Sequence, residues 1–275
     1  MPALPAKSSA IEPTVLPQGE WPPHTIDAFH RGAFHLAQPK DAGHRAGTDA
    51  LMLAAAVPSG FGGTVADLGS GAGAAGLAVL ARCPGASALF VERSAEMVAW
   101  ATRTLALDAN AAFRTRVRIV EGDVTHTGGA RRLIGLDDNS VDFAILNPPF
   151  NAALDRSSPD PMRQEAHVLT PDLFAQWLRT AAAIVRPKGG LALIARPQSL
   201  PEILAALAGR FGGAQIVPVL PRPDHPATRI ILRAVLGSRA TLSLYPPLVV
   251  HGESGNGFSP RADAINNGRR SLFGD

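Results

Sequence analysis

The sequence VADLGSGAG at residues 65–73 joins a short apolar run, Thr64–Leu68, to a helical pattern at Ala74–Arg82. Gly69, Gly71 and Gly73 allow the backbone to turn tightly and to approach a ligand without side chains in the way. In a parallel sheet such a loop lies at the carboxyl ends of the strands, where ligands bind. Because structural turns can have the same spacing of glycines, the loop predicts a ligand site only in combination with other residues.

The alternation of strand and helix patterns continues beyond this loop and predicts the fold. Helices between successive strands imply a parallel sheet that is covered on both faces. The last two apolar runs leave no room for a helix between them, so they are expected to pair antiparallel. The prediction is an α/β fold with a Rossmann-like, seven-stranded, mostly parallel sheet, an antiparallel last strand and helices on both faces. After Thr64–Leu68, the predicted strands are Ala88–Glu92, Val117–Glu121, Val141–Leu146, Leu191–Ala195, Ala214–Leu220 and Thr228–Leu236.

Capping signals predict where several helices begin and end. A helix over Asp49–Val57 is expected to have Thr48 or Asp49 as its N-cap, and another is expected over Ser94–Asp108. Thr170-Pro171-Asp172 is expected to open a helix that ends at Lys188-Gly189-Gly190, and Ser199–Glu202 reads as a capping box.

Composition divides the chain into a flexible N-terminal arm at 1–27, one domain at 28–265 and a tail at 266–275. Within the domain, 28–63 is a preamble and 64–237 is the core; the stretch from Pro246 onward has little periodicity. The single cysteine, Cys83, excludes an internal disulfide and a cysteine-based zinc site, which fits a reducing cytoplasm. No apolar run reaches membrane-spanning length, and a net charge of +3 permits a nucleic-acid partner without arguing for one.

Two acids at strand ends strengthen the ligand prediction. Glu92 ends the second strand, where a carboxylate can accept both ribose hydroxyls, and Asp123 follows the third, where it can receive an adenine amino group. A dinucleotide is the competing ligand. Asp67, two residues before the first glycine, would repel a pyrophosphate but attract the ammonium of a methionine moiety. The charges therefore favour S-adenosyl-L-methionine (SAM) as the cofactor.

Asn147-Pro148-Pro149-Phe150 follows the fourth strand and predicts the reacting end of the site. The two prolines stop the ladder and stiffen the chain, which leaves the Asn147 side-chain oxygen and the Pro148 carbonyl free to accept hydrogens from one nitrogen. Phe150 offers a face for stacking a planar group. Such a site needs no strong general base, because positioning carries most of a methyl transfer from sulfonium. The alternative is an ordinary turn with Phe150 in the core.

Together, Asp67–Gly73, Glu92, Asp123 and Asn147–Phe150 resemble class I SAM-dependent methyltransferases of the Asn-Pro-Pro-aromatic group. That group includes N6-adenine methyltransferases of DNA and RNA and N5-glutamine methyltransferases of release factors. Phe150 stands where tyrosine is commoner in the group, which preserves stacking but removes a phenol hydroxyl.

The preamble is similar to the bacterial family of tRNA(1)(Val) adenine-37 N6-methyltransferases. The resemblance is carried by Gln38-Pro39, by Gly43–Leu53 and by the tail segment Pro246–Gly252, and it covers roughly residues 28–265. It implies that Gly47, Thr48 and Asp49 lie beside the methionine end of SAM and that Asn147–Phe150 engages the target base.

Other polar residues leave alternatives open. The 151–169 stretch is expected to cover the target pocket, where Arg156, Arg163 and His167 contact phosphate or are ordinary loop residues. The arginines Arg222, Arg229, Arg233 and Arg269-Arg270 form an RNA-facing surface or are surface charge. His30 and His35 are read as loop residues, since no histidine spacing predicts a metal site, and Ser70 lacks a nucleophile-elbow pattern.

The leading functional hypothesis is a SAM-dependent methyltransferase of adenine N6 in tRNA or other RNA. A second hypothesis is methylation of a glutamine amide in a protein such as a release factor. Residues 1–58 are too short and irregular for the helical recognition domain usual in that group. A third is a non-catalytic RNA-binding module built on a SAM-binding fold.

Overall fold

The computed structural model describes residues 21–40, 45–149 and 172–275. Eleven strands are found in these ranges: β1 His24–Phe29, β2 Phe34–Pro39, β3 Thr64–Leu68, β4 Ser87–Glu92, β5 Val117–Glu121, β6 Val141–Leu146, β7 Val185–Ala195, β8 Phe211–Leu220, β9 Arg229–Leu236, β10 Ser243–Leu244 and β11 Leu248–Val249. The α-helices of the same ranges are α1 Thr48–Ala54, α2 Ala74–Arg82, α3 Ala95–Ala106, α4 Gly128–Leu133, α5 Leu173–Ile184, α6 Leu200–Leu207 and α7 Pro260–Asn266.

The central sheet has the strand order β10-β8-β9-β7-β6-β3-β4-β5, and β11 also pairs with β8. Strands β3 to β7 pair in parallel, whereas β9 runs antiparallel to both β7 and β8. The seven predicted strands and the antiparallel last one are therefore confirmed. Strands β10 and β11 extend the sheet beyond β8.

Apolar side chains on both faces of the strands explain why helices cover both faces of the sheet. Val65 packs into one cluster with α1, α2, α3 and α7, whereas Ala66 and Leu68 pack into a second cluster with α5 and α6. The predicted helices on both faces are confirmed. Alternate residues of one strand thus contribute to two cores, which is why the strand sequences are almost continuously apolar.

The preamble contains an antiparallel hairpin, β1–β2, that was not predicted. Its turn places His30 and Arg31 at positive φ (48° and 57°), which is uncommon for residues other than glycine. Strand β1 begins at His24, so residues 24–27 of the predicted arm lie in this hairpin. The first twenty residues of that arm lie outside the described residues.

Two helix ends differ from the prediction. Gly47, rather than Thr48 or Asp49, is the N-cap of α1. Helix α5 ends at Ile184, because Val185 already pairs with Val141 in the sheet. Gly189 and Gly190 lie within β7 instead of capping the helix; a Cβ atom at Gly190 would collide with the Phe143 ring.

The predicted capping box at Ser199 does not form. Ser199 has helical backbone angles and ends a 3-10 turn, so its hydroxyl makes no capping hydrogen bond. The C-terminal stretch is also more ordered than predicted. Ser259 caps α7, and Leu272 is buried with its amide bonded to the Ala55 carbonyl.

Candidate active site

The parallel strands bring the predicted site residues to one edge of the sheet. Strand β3 lies between β4 and β6, with Leu68 paired to Val91 on one side and to Leu146 on the other. The chain reverses its order of strands here, which is where open α/β sheets have their ligand crevice. Asn147 follows Leu146, so it is placed beside the start of the glycine loop.

All three glycines of the loop have a positive φ, which glycine adopts without strain: φ is 73° at Gly69, 54° at Gly71 and 93° at Gly73. The amides of Gly69 and Ser70 donate to the Val91 carbonyl at 2.8 and 3.1 Å. These bonds fix the loop on β4.

Two aromatic rings enclose the loop. The Phe90 ring fills the space where a Cβ atom would lie at Gly73, and the tip of the Trp177 indole lies 2.6 Å from a Cβ position at Gly69. Phe90 and Trp177 belong to the two different apolar clusters, so the loop is held from both faces of the sheet. Neither contact was predicted, because nothing in the local sequence links Gly69 to a residue more than a hundred positions away.

Glu92 ties the loop to the start of α3. One carboxylate oxygen accepts the Gly71 amide and the other accepts the Ser94 amide, both at 2.9 Å. Since a carboxylate has about four acceptor positions, Glu92 retains capacity for the hydroxyls of a ligand.

Asp67 is almost completely buried, with 2% of its surface exposed. Its Oδ2 atom accepts the Gly76 amide of α2 at 2.8 Å. Burial raises the pKa of Asp67 to about 7; the bond from Gly76 opposes this increase, and the charge of Glu92 adds to it. A buried carboxyl group of this kind is ionised most readily when a cation lies beside it.

Asp123 lies in the turn after β5, where its Oδ1 accepts the Thr125 amide at 2.8 Å. The preceding Gly122 amide donates to the Glu92 carbonyl at 2.9 Å, which holds this turn close to the end of β4. Asp123 and Glu92 are thus brought to neighbouring positions on the carboxyl edge, as expected.

The Asn147 Oδ1 atom is buried and has no hydrogen-bond partner among the described residues. An unpaired buried acceptor costs about 1–3 kcal/mol, so a ligand that donates a hydrogen here is favoured. Pro148 is buried next to it. Phe150 lies outside the described residues, as do 151–171 with the predicted pocket cover and its Arg156, Arg163 and His167.

The β1–β2 hairpin fixes the segment that leads into α1. Gln38 receives the Ala46 amide at 2.7 Å and donates to Asp27 at 2.7 Å, and Arg45 forms an ion pair with Asp27 at 2.6 Å. This network holds the chain immediately before Gly47 and Thr48. Gly43 and His44 of the same motif lie outside the described residues.

Asp49, in the first turn of α1, forms an ion pair with Arg229 at 2.9 Å. Arg229 begins β9, whose start lies at the carboxyl end of β7 because the two strands are antiparallel. The pair therefore places Asp49 on the same edge of the sheet as Asn147.

Most of the arginines considered for an RNA surface have structural contacts. Arg233 pairs with Asp275 and lies over the Phe273 ring, and Arg222 donates to the carbonyls of Gly252 and Gly255. Arg269 pairs with Asp263. These contacts favour the surface-charge and scaffold interpretation.

His30 packs edge-on against Phe34, and burial, with the charge of Arg82, lowers its pKa to about 4. Within 21–40, 45–149 and 172–275 no group of three or more histidine, cysteine or acidic side chains could hold a metal ion. No helix in these ranges is long and apolar enough to cross a membrane.

Residues 43–218 match the family model of the methyltransferase small domain. The chain belongs to this family. This membership supports the prediction of a SAM-dependent methyltransferase over that of a non-catalytic module. The crystal structure of a predicted O-methyltransferase, protein Atu636 from Agrobacterium tumefaciens, is 42% identical; the match covers 82% of this chain and 98% of that one, with a TM-score of 0.71.

Two curated relatives match this small-domain methyltransferase over part of their length. Ribosomal RNA large subunit methyltransferase G of Pseudoalteromonas translucida is 36% identical over 90 residues, which are 33% of this chain and 21% of that protein. Release factor glutamine methyltransferase of Caulobacter vibrioides is 28% identical over 184 residues, 64% of this chain and 59% of that protein. The chain thus spans less than two thirds of the length of either relative.

Proposed function

We propose that this methyltransferase transfers a methyl group from SAM to the N6 amino group of an adenine in RNA, with tRNA as the first candidate. The observation that carries the proposal is the buried Asn147 Oδ1 atom, which has no partner in the described part of the chain. An exocyclic amino group has two hydrogens to donate, and Asn147 can accept one of them. The Pro148 carbonyl is proposed to accept the other.

The residues on the carboxyl edge fit SAM as the cofactor. Asp67 and the segment Gly47–Asp49 are assigned to its methionine end, the loop Gly69–Gly73 to close backbone approach, Glu92 to the ribose hydroxyls and Asp123 to the adenine amino group. The raised pKa of Asp67 supports the first assignment, since an ammonium group stabilises the ionised carboxylate. When bound, SAM supplies an electrophilic methyl group on a sulfonium.

The chain's own contribution to the reaction is positioning. Asn147 and Pro148 hold the hydrogens of the acceptor nitrogen so that its lone pair points toward the methyl group, and Phe150 stacks on the base. Alignment of this kind supplies much of the rate of a bimolecular transfer. The proton of the methylated nitrogen can leave to solvent, so no general base is required at Asn147.

RNA is favoured as the acceptor by the resemblance of Gly43–Leu53 to tRNA adenine methyltransferases. The similarity to an rRNA methyltransferase gives independent, though part-length, support. A glutamine amide is the second candidate, because the relative in Caulobacter acts on one according to its name and a planar amide presents the same pair of hydrogens. A hydroxyl acceptor fits less well, since it has one hydrogen for two acceptor atoms.

The proposal is tested with purified protein and SAM labelled in its methyl group. Unmodified tRNA, rRNA and a release factor are offered in parallel, and labelled RNA is digested to nucleosides. The expected product is N6-methyladenosine. Label in protein alone would contradict the RNA assignment and favour glutamine.

Two variants test the acceptor site in the same assay. Asn147→Ala is expected to abolish turnover while SAM binding, measured by calorimetry, changes less than threefold. Phe150→Ala is expected to weaken turnover far more than SAM binding. An equal loss of both properties would mean that Phe150 is a core residue instead of a stacking surface.

A further inference from the structure

The indole of Trp177 is in direct contact with the glycine loop. Trp177 lies in α5 with 8% of its surface exposed, and its Cη2 atom would be 2.6 Å from a Cβ atom at Gly69. The ring therefore fills the space beside Gly69 on the side of α5. Gly69 is required here on two grounds, its positive φ and this contact.

The same helix also holds the second turn assigned to the cofactor. Thr180, one turn after Trp177, donates its hydroxyl to the Val124 carbonyl at 2.6 Å and lies 3.4 Å from the His126 carbonyl. Thr180 is buried, with 1% of its surface exposed. Helix α5 thus contacts the loop at Gly69 and the turn that follows Asp123.

The acceptor side adjoins the first of these contacts, the one at Gly69. Asn147 follows Leu146, which pairs with Leu68 immediately before Gly69. Neighbouring strands lie about 4.8 Å apart, so the loop at Gly69 and Asn147 begin about one strand spacing from each other.

We propose that Trp177 is a positioning residue, which fixes the height of the cofactor loop relative to the acceptor site. The inference rests on the proposed role of Gly69–Gly73 in binding SAM. A residue that only fills the core would contribute to stability without a specific effect on SAM.

The test compares Trp177→Leu with Leu178→Ala in the full-length chain. Leu178 is fully buried in the same apolar cluster on the same helix, so its truncation is a matched control for lost packing. Trp177→Leu is expected to weaken SAM binding at least tenfold and to lower kcat, with the KM for the acceptor unchanged. Leu178→Ala is expected to lower Tm by about as much as Trp177→Leu does, and to change SAM affinity by less than twofold.

Trp177→Phe keeps an aromatic ring but lacks the reach of the indole tip, so an intermediate affinity is expected. It also provides a readout if Trp177→Leu does not fold. The proposal is overturned if Trp177→Leu and Leu178→Ala weaken SAM binding equally. It is also overturned if both Trp177→Phe and Trp177→Leu bind SAM as tightly as the unaltered chain does.

A double-mutant cycle tests the contact itself. Gly69→Ala is expected to weaken SAM binding through its collision with Trp177 as well as through backbone strain. Adding Trp177→Leu should then cause no further loss, because the collision is relieved. If the losses of SAM affinity in the two single variants multiply in the double variant, the two residues act independently and the contact has no role in SAM binding.

Fluorescence reports whether ligand binding reaches the surroundings of the Trp177 indole. In a chain with Trp21→Phe and Trp100→Phe, the emission of Trp177 is expected to shift when S-adenosylhomocysteine binds; an unchanged spectrum at saturation contradicts the proposal. All of these binding measurements need no acceptor. Failure of the RNA assay would therefore leave them interpretable, and the two proposals fail separately.

Discussion

Replacing Asp67 by asparagine should make the stability of the fold less dependent on pH. A pKa of about 7 in the folded chain, against an ordinary value of 3.8, corresponds to about 4 kcal/mol in favour of the protonated carboxyl group. The folded chain retains this proton to a higher pH than the unfolded chain. Its contribution is therefore fully present below about pH 4, and stability declines as the pH rises toward 7.

Integration over the experimental range gives the magnitude to look for. About 2–3 kcal/mol of this loss falls between pH 5 and pH 8. Asparagine cannot ionise, and its side-chain oxygen can still accept the Gly76 amide that bonds to Asp67. The difference in unfolding free energy between Asp67→Asn and the unaltered chain should therefore shift by about 2–3 kcal/mol in favour of the variant over this range.

Urea unfolding at pH 5, 6, 7 and 8 measures the difference, and groups elsewhere that titrate equally in both proteins cancel from it. SAM binding completes the test, because an ammonium group beside Asp67 requires the ionised form. Affinity of the unaltered chain should fall as the pH drops below 7, whereas that of Asp67→Asn should be weak and flat. A stability difference that stays constant from pH 5 to pH 8 would refute the reasoning.

Three further changes test the site. Gly73→Ala should destabilise the fold by about 1–3 kcal/mol in urea unfolding, because a Cβ atom would collide with Phe90 and φ is 93°; wild-type stability would contradict this. Glu92→Gln should lower the free energy of unfolding by about 1–3 kcal/mol, because the NH2 group of glutamine would face one of the two backbone amides that the carboxylate now accepts. Calorimetry should also show weaker SAM binding. Asp49→Asn and Arg229→Ala should weaken SAM binding non-additively if their ion pair orients Asp49; additive losses in a double-mutant cycle would exclude that role.

The sheet was predictable because its signals are local. Thr64–Leu68, Val117–Glu121 and Val141–Leu146 are bounded by turn residues and filled with apolar ones, and the observed strands have these same limits. Gly189-Gly190 misled the prediction, because glycine before a strand reads as a helix end. Glycine is needed at Gly190 because the Phe143 ring approaches it from the neighbouring strand, and only the fold creates this contact.

The sequence predicted which candidate residues lie at one edge of the sheet. It did not predict the contacts that hold them there. Strand ends in a parallel sheet converge, so Asp67, Glu92 and Asn147 could be assigned to one edge. The Gly76 amide on Asp67 and the Trp177 ring on Gly69 depend on how helices pack over that edge. Such contacts have no signal in a single sequence.

Two acceptor groups on adjacent strands of this edge, the Asp67 carboxyl group and the Asn147 side-chain oxygen, indicate what a bound ligand must supply. Asp67 is buried near Glu92 and has a raised pKa, and the Asn147 oxygen lacks a donor in the described part of the chain. A cation would stabilise the ionised Asp67, and an amino group would donate a hydrogen bond to Asn147. Since Leu68 and Leu146 are paired residues, the two acceptor groups lie on adjacent strands. A sulfonium cofactor and a planar amino acceptor would therefore each complete one half of the site, and the strand pairing alone would bring their reacting atoms together.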